Sequence, residues 1–454
     1  MCEQSPWQTG PASDTITALN RDQVFDVVVV GGGFTGLSIA YHLAKLKGAE
    51  GIALVEAAEI GSGASGRNSG MIGPGIWGTY DRMEKKFGPD MAQAMFAHTE
   101  SAVRIAIDWI QAEPLPCDLV VGKQIKVAIT EAHQEKLARE VSALQRAGFA
   151  IRGLEKRELQ HHIRTDRYRY GLEYAQSATV NPLALAQALK HQLIAMGVQV
   201  FEHTPVTHIQ SHTQQLMIKT PKASLCAKNL FIAANGFMPA MGILKNRVFP
   251  ISTHLLRTQP LTNTELASLG INSHCAFIDT RRIFNFFRLT PDNRLVFGGG
   301  KPVLNPANSN GRFEHHTDKC AGQVLHRELL DVFPTLADVP IETLWRGTMG
   351  FTIDNLPILG ATADPRIFLA GAWCGHGLAL SLANGKHIAQ AWINNEPMTS
   401  MPWHRASAPL MPPGALLAPS LAAYISTLSL ADRWDLFKGG SAGGAPHQTQ
   451  VVGK

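Results

Sequence analysis

Hydrophobic positions first gather in a compact run rich in β-branched residues, Asp26 to Val30, the pattern of a strand buried on both faces. The glycine-rich segment Gly31 to Gly36 follows as a turn. Leu37, Ala40, Leu43 and Ala44 then recur at helical spacing within Thr35 to Lys47, and Gly48 ends that helix. Ile52 to Val55 is a second buried strand ended by Glu56, so the opening predicts a βαβ unit. Between 91 and 147, amphipathic helical segments alternate around Pro114 and Pro116, with one strand-like run from Gln124 to Ile129. Asn181 and Pro182 predict the cap and first turn of a helix reaching Met196. Val198 to Phe201 and Leu230 to Ala234 predict short apolar strands.

Between 245 and 305 the period changes. Phe284 to Leu289 and Arg294 to Phe297 alternate around the turn Pro291–Asp292–Asn293, predicting antiparallel strands inserted between βαβ-type segments. Ile367 to Gly371 returns to the buried-strand pattern and leads into a helix from Leu378 to Ile393. The whole predicts an α/β fold with a second, mixed domain interrupting the first.

Length and charge narrow this picture a little. With 454 residues there is material for two cores. The net charge of +5 comes without a dense Lys/Arg run, so no nucleic-acid partner is expected. The six cysteines include no C-x-x-C pair, which speaks against a metal or disulfide framework and fits a reducing, cytoplasmic setting. Leu416 to Leu430 is the longest apolar stretch near the C-terminus, but it is short and broken by Pro419, so no integral membrane segment is expected.

The candidate chemistry sits in three glycine-rich turns. Gly31, Gly33 and Gly36 follow a buried strand and open a helix, the context a dinucleotide fingerprint requires. Their expected tasks are a tight turn, close approach of backbone to a pyrophosphate, and close packing of helix on strand, with the helix N-terminus facing the phosphates. Glu56, at the end of the second strand, is placed to accept hydrogen bonds from ribose hydroxyls and to repel a 2′-phosphate. The second turn, Gly61 to Gly70, holds Ala64, Ser65, Arg67, Asn68 and Ser69; so much exposed backbone around one cation and one amide suits a large flat group, a flavin. The third, Ala372 to Gly377, joins the strand ending at Gly371 to a helix and aims N–H groups at an anionic centre such as the N1/C2=O edge of a reduced flavin. His376 is the titratable group nearest that turn.

These residues resemble the D-amino-acid oxidase/glycine oxidase/sarcosine oxidase superfamily of FAD-dependent oxidoreductases. The strings GASGRNSG, YDRMEKKFG (Tyr80 to Gly88), FFRLTPDNRLVFGGG (Phe286 to Gly300) and AGAWCGHG (Ala370 to Gly377) are most similar to its γ-glutamylputrescine oxidase-like amine oxidases, and the similarity spans residues 25 to 437. The resemblance implies non-covalent FAD contacted by Gly31, Gly33, Phe34, Thr35, Gly36, Glu56, Ala64, Ser65, Arg67, Asn68 and Ser69. It further implies Val206 and the turn Ala234–Asn235–Gly236 at the adenosine and pyrophosphate side, and Gly371, Gly375, His376 and Gly377 at the flavin's pyrimidine edge. The fold expected is a Rossmann-like FAD-binding domain (25–110, 150–240 and 340–400) interrupted by a mixed α+β substrate domain with an antiparallel sheet (111–149 and 241–339). An N-terminal arm (1–24), a C-terminal helical extension (401–438) and a disordered tail (439–454) complete the expected organisation.

One departure bears on the substrate. Relatives that oxidise α-amino acids carry an Arg–Pro pair after a Trp-x-Gly, and that arginine clamps the substrate carboxylate. Here Met349 and Gly350 stand where the pair would fall, and a thioether cannot offset the desolvation of a carboxylate. The expected reaction is therefore oxidation of an amine C–N bond by hydride transfer to flavin N5, giving an imine that water hydrolyses to an aldehyde, with O2 as final acceptor. His376 and His254 are the candidates for keeping the amine neutral, with Met349 in the substrate site; Phe284, Phe286 and Phe287 offer an apolar wall. Arg281 and Arg282 are candidates for an anionic substrate tail, and Lys301 for oxygen activation. Three rivals stay open: an amino-acid oxidase with a substitute arginine, a quinone-linked dehydrogenase, and a flavoprotein scaffold without turnover.

Overall fold

The computed structural model describes residues 7, 18–75, 78–306, 319–398, 401–412 and 414–440. The valine run extends to a strand over Gln23–Val30, and its core positions are fully buried. It pairs in parallel with Ile52–Val55 on one side and Ser224–Ile232 on the other. Gln199–Phe201 extends the sheet beyond Ile52–Val55, and Ile367–Gly371 adds in parallel beyond Ser224–Ile232. The helices Phe34–Lys47 and Gly377–Ile393 cover this sheet, buried so extensively that little of either faces water. The predicted helix cap is present: Asn181 accepts from the Ala184 N–H at the start of Pro182–Met196.

A nine-stranded mixed sheet stands beside it; eight strands follow the order Ile341–Phe351, Phe249–Thr258, Leu295–Leu304, Phe286–Leu289, Cys275–Asp279, Val120–Ala128, Tyr170–Thr179, Met71–Ile72, and the ninth, Ile151–Glu155, pairs with Tyr170–Thr179. The turn at Pro291–Asp292–Asn293 joins two of these strands, with Asn293 at φ 61° and its N–H on the Thr290 carbonyl. Ile151–Glu155, Tyr170–Thr179 and Ile341–Phe351 belong to this sheet, although the sequence reading assigned 150–240 and 340–400 to the parallel sheet's unit. Tyr170–Thr179 buries Glu173, whose Oε1 pairs with Lys123 at 2.8 Å, so a charged residue interrupts the alternation that marks a strand.

Residues 1–6 and 8–17 of the expected surface arm lie outside the described residues, but two described members of the arm are buried. Trp7 stacks over the Arg288 guanidinium and donates to the Asn68 carbonyl at 2.9 Å, while the Leu19 N–H donates to Thr204. At the other end, Gly414–Gly440 forms one helix that runs through Pro419. Residues 441–454 of the expected tail lie outside the described residues. Among the described residues, no helix is long and apolar enough to cross a membrane, and no cluster of three or more His, Cys, Asp or Glu could hold a metal.

Candidate flavin and substrate site

Both sheets border one cavity of about 2260 Å³, and almost every residue singled out from the sequence lines it. Gly31, Gly33, Phe34, Thr35 and Glu56 form one wall; Ala64, Ser65, Arg67, Asn68 and Ser69 form the next. Val206, Ala234, Asn235 and Gly236 close one end, and Met349, Gly375, His376 and Gly377 stand at the other. Gly36, Gly371 and His254 do not line it.

Local sterics explain the first turn. Gly31 has φ +112°, and a Cβ there would sit 2.7 Å from the Ala233 carbonyl oxygen. A Cβ on Gly36 would come within 1.9 Å of the Gly31 carbonyl oxygen, so this glycine lets helix and turn touch and has no face toward the cavity. The N-cap residue Gly33 has no side chain to cap the helix that follows, and no acid stands in its first turn; Gly33, Phe34 and Thr35 at its positive end line the cavity. Glu56 is already engaged: its carboxylate accepts from the Gly32 N–H at 2.7 Å and the Ala58 N–H at 2.9 Å. Desolvation raises its pKa, against the pull of those N–H donors. Backbone bonds from Glu56 to Phe201 and from Thr204 to Glu56 bring Val206 alongside.

The second turn is braced from within. Asn68 donates to the carbonyls of Ala64 and Ser65 and accepts from the Gly70 N–H, so its amide holds the loop's shape. Ser65 Oγ accepts from the Phe34 N–H at 2.9 Å, locking this loop to the first turn. Arg67 is buried, donates from Nε to the Ser62 carbonyl at 3.0 Å, and takes the Trp345 indole N–H on its own carbonyl.

The third turn carries positive φ at Ala372, Cys374 and Gly375. The Ala372 N–H donates to Asn235 Oδ1 at 2.9 Å, and a Cβ on Gly371 would lie 3.0 Å from the Asn235 Cα; Gly371 thus permits contact between two turns. Trp373 Nε1 donates to Thr35 Oγ1 at 2.9 Å, and Thr35 donates to Ser381, so one hydroxyl ties the first turn to the third. Neither Trp373 nor Ser381 was singled out from the sequence, because only the pairing of the two helices brings them to Thr35. The His376 ring borders the cavity, with Nδ1 3.1 Å from the Cys374 carbonyl. A carbonyl only accepts, so Nδ1 carries the proton and Nε2 is left as acceptor. Enclosure by the walls pushes its pKa down, with Lys126 adding to the effect, so the imidazole is neutral near pH 7.

Several substrate-side expectations change. His254 is buried behind the cavity: Thr253 and Leu255 on either side of it face in, as strand alternation dictates. It cannot act on a bound amine from there. Lys301 is exposed, while Gly300 and Pro302 line the cavity. Phe284 and Phe286 line the cavity, but Phe287 turns into the core between Phe277 and Phe297. Arg281 donates to Asp279 at 2.9 Å, and Arg282 to Asp432 and Asp435 at 3.0 and 2.8 Å, so both cations are neutralised inside the protein. The C-terminal helix, not anticipated as part of the site, contributes Leu421, Tyr424, Ile425 and Leu428 to the wall. Asp432 holds it there by accepting from the backbone N–H groups of Arg282 and Ile283.

The residues fit FAD: glycines bring backbone to the cavity wall, and a Cβ on Gly33 would fill the space 2.9 Å from Ser65 Oγ. The family described as FAD dependent oxidoreductase (DAO) matches residues 26–391. The γ-glutamylputrescine oxidoreductase of Escherichia coli (strain K12) is 30% identical over 375 residues, covering 82% of this chain and 84% of the relative. The glycine oxidase of Bacillus subtilis (strain 168) is 23% identical, covering 82% and 94%. Among solved structures, glycine oxidase from Geobacillus kaustophilus superposes with a TM-score of 0.68 at 20% identity, covering 84% of this chain and 96% of its own. The family match, across three turns whose geometry suits a dinucleotide, establishes the chain as a member of the DAO family of FAD-dependent oxidoreductases.

Proposed function

We propose that this enzyme oxidises the C–N bond of a primary or secondary aliphatic amine, in the cytoplasm and with O2 as final acceptor. The observation that carries this reading is Met349. Its sulfur lies close enough to Gly375 that a Cβ there would be 3.9 Å away, so an apolar thioether borders the expected pyrimidine edge. The nearby Arg346 does not line the cavity. An α-carboxylate placed there would lose its water without gaining a fixed cation.

The turns at Gly31–Gly36, Gly61–Gly70 and Ala372–Gly377 would hold FAD, with the first at the pyrophosphate and ribose and the second and third along the flavin. Bound FAD supplies the two-electron acceptor that takes a hydride equivalent from the amine carbon. His376 presents a neutral imidazole whose Nε2 would accept a hydrogen bond from the amine N–H, orienting a substrate that binds as the free amine. Phe284, Phe286 and the C-terminal helix exclude water while the C–N bond is oxidised. Water then adds to the released imine to give an aldehyde and the smaller amine.

The test is anaerobic bleaching of the FAD-loaded protein by amines beside glycine and D-alanine, followed by hydrogen peroxide release in air. Bleaching by aliphatic amines alone supports the reading. Bleaching by glycine or D-alanine but by no amine overturns it, and Met349→Arg is expected to move reactivity toward those amino acids.

A further inference from the structure

The substrate end of the cavity contains a charge imbalance that follows from which ions are already paired. Each carboxylate lining the cavity has a partner. Glu56 holds backbone N–H groups, Asp81 takes the Thr79 hydroxyl, and Glu140 pairs with Lys126 at 2.8 Å. Asp279 pairs with Arg281 at 2.9 Å, and Asp354 with Arg405 at 2.9 Å. Among the described lining carboxylates only Asp81, next to Arg82 on the same helix, is left with neither a cation nor a set of N–H donors, so the lip of the cavity stays net positive.

The cations are not balanced in the same way. Arg82 and Lys85, on the helix Tyr80–Phe87, and Lys136, on the helix Glu131–Arg146, all line the cavity and are exposed to its solvent. None forms an ion pair within the described residues. Asp435, which feels Lys136, is already bonded by Arg282 and approached by His133. The neighbouring Arg139 is partly offset by Glu135 at 3.9 Å. This cationic lip connects to the reaction end: Gly75, a few residues before the helix that bears Arg82, has a Cβ position 3.8 Å from His376 Cδ2.

We infer that the substrate is an amine bearing an oxyanion, such as a carboxylate, remote from the oxidised C–N bond, and that Arg82, Lys85 and Lys136 receive that anion. The inference rests on the amine reading for its reaction, though the anion site itself does not. A one-signed cleft concentrates counter-charged ligands by tenfold or more, and exposed cations make that gain sensitive to salt. A free diamine, positive at both ends, is repelled by the same lip.

The experiment uses the full FAD-loaded chain and amines of matched chain length: an ω-aminocarboxylate, an ω-aminophosphonate, the neutral ω-aminocarboxamide and the diamine. Anaerobic bleaching is expected at about tenfold lower concentration for the two anionic members than for the carboxamide, with the diamine worst. Lys85→Glu with Lys136→Glu is expected to invert that order, whereas Lys47→Glu with Arg157→Glu, equal in net charge but on other surfaces, is expected to preserve it. Equal bleaching by all four amines, or a preference for the diamine, overturns the inference and leaves the amine reading standing. Glutarate, which cannot be oxidised at a C–N bond, supplies an arm independent of turnover. It is expected to perturb the flavin spectrum at lower concentration than 1,5-pentanediol, and less so in high salt. If no amine bleaches the flavin but glutarate binds, the amine reading fails and the anion site stands; if glutarate binds no better than the diol, the site is refuted.

Discussion

Around Gly31–Gly36 the cavity wall is backbone held in place by contacts so close that a methyl group would not fit, whereas around Arg281 and Arg282 it is built from side chains whose charges are matched across the fold. At the first end a Cβ on Gly36 would approach the Gly31 carbonyl to 1.9 Å. At the second end, Asp279 balances Arg281, and Asp432 and Asp435 on the C-terminal helix balance Arg282. The contrast teaches that sterics limit change at the cofactor end, while the substrate end is governed by which charges remain after pairing.

The largest effect is expected from Gly36→Val. Overpacking a tight site costs about 1–3 kcal/mol or more, and here the clash is with a carbonyl that cannot rotate away. Loss of the flavin absorbance from purified protein, with a lower Tm, is the expected outcome; normal FAD content would break the steric account. Acid is expected to act next, again on the cofactor half. Burial lowers His42 to about 3 and His98 to about 4, and lowers His387 as well, from an ordinary value of 6.5. Their folded pKa values lie below the unfolded one, so the stability they allow is complete above pH 6.5 and is lost as pH falls toward 4. His98 alone contributes a loss on the order of 3 kcal/mol by that limit. Thermal melts and flavin release between pH 7.5 and 4.5 measure it, and a flat profile would contradict it.

Asp432→Ala sharpens the comparison from the other end. It leaves two backbone N–H groups and the Arg282 guanidinium short of a partner, at a cost of about 1–3 kcal/mol. KM is expected to rise as the C-terminal helix loosens, while FAD content stays normal; loss of FAD would show that the two ends are not separable. Thr35→Val should have the smallest effect, about 1 kcal/mol, through loss of the hydroxyl joining Trp373 to Ser381. A few-fold weaker FAD retention in equilibrium dialysis is its expected signature.

The same contrast governs what could be read from the sequence. The Asp26 to Val30 part of Gln23–Val30, together with Ile52–Val55 and Ile367–Gly371, is legible because a parallel strand buried on both faces must be a continuous apolar run. Ile341–Phe351 was not legible as a strand, since Gly347 and Gly350 interrupt its pattern. Gly350 is explained only by the Asn235 turn lying against it, where a Cβ would come 2.8 Å from Asn235 Oδ1. His254 shows a different limit: its residue type suited acid–base work, but the strand's alternation turned it away from the cavity.

The sequence by itself determined the three glycine turns and the dinucleotide chemistry they suit, because a turn's conformation and close backbone approach depend on residues adjacent in the chain. Only the tertiary structure decided which cations stay available at the substrate end. Arg281 and Arg282 look free as letters, but partners both near and far in sequence claim them, Asp279 two residues away and Asp432 150 residues away. Charge compensation depends on distance in space, and folding alone sets that distance.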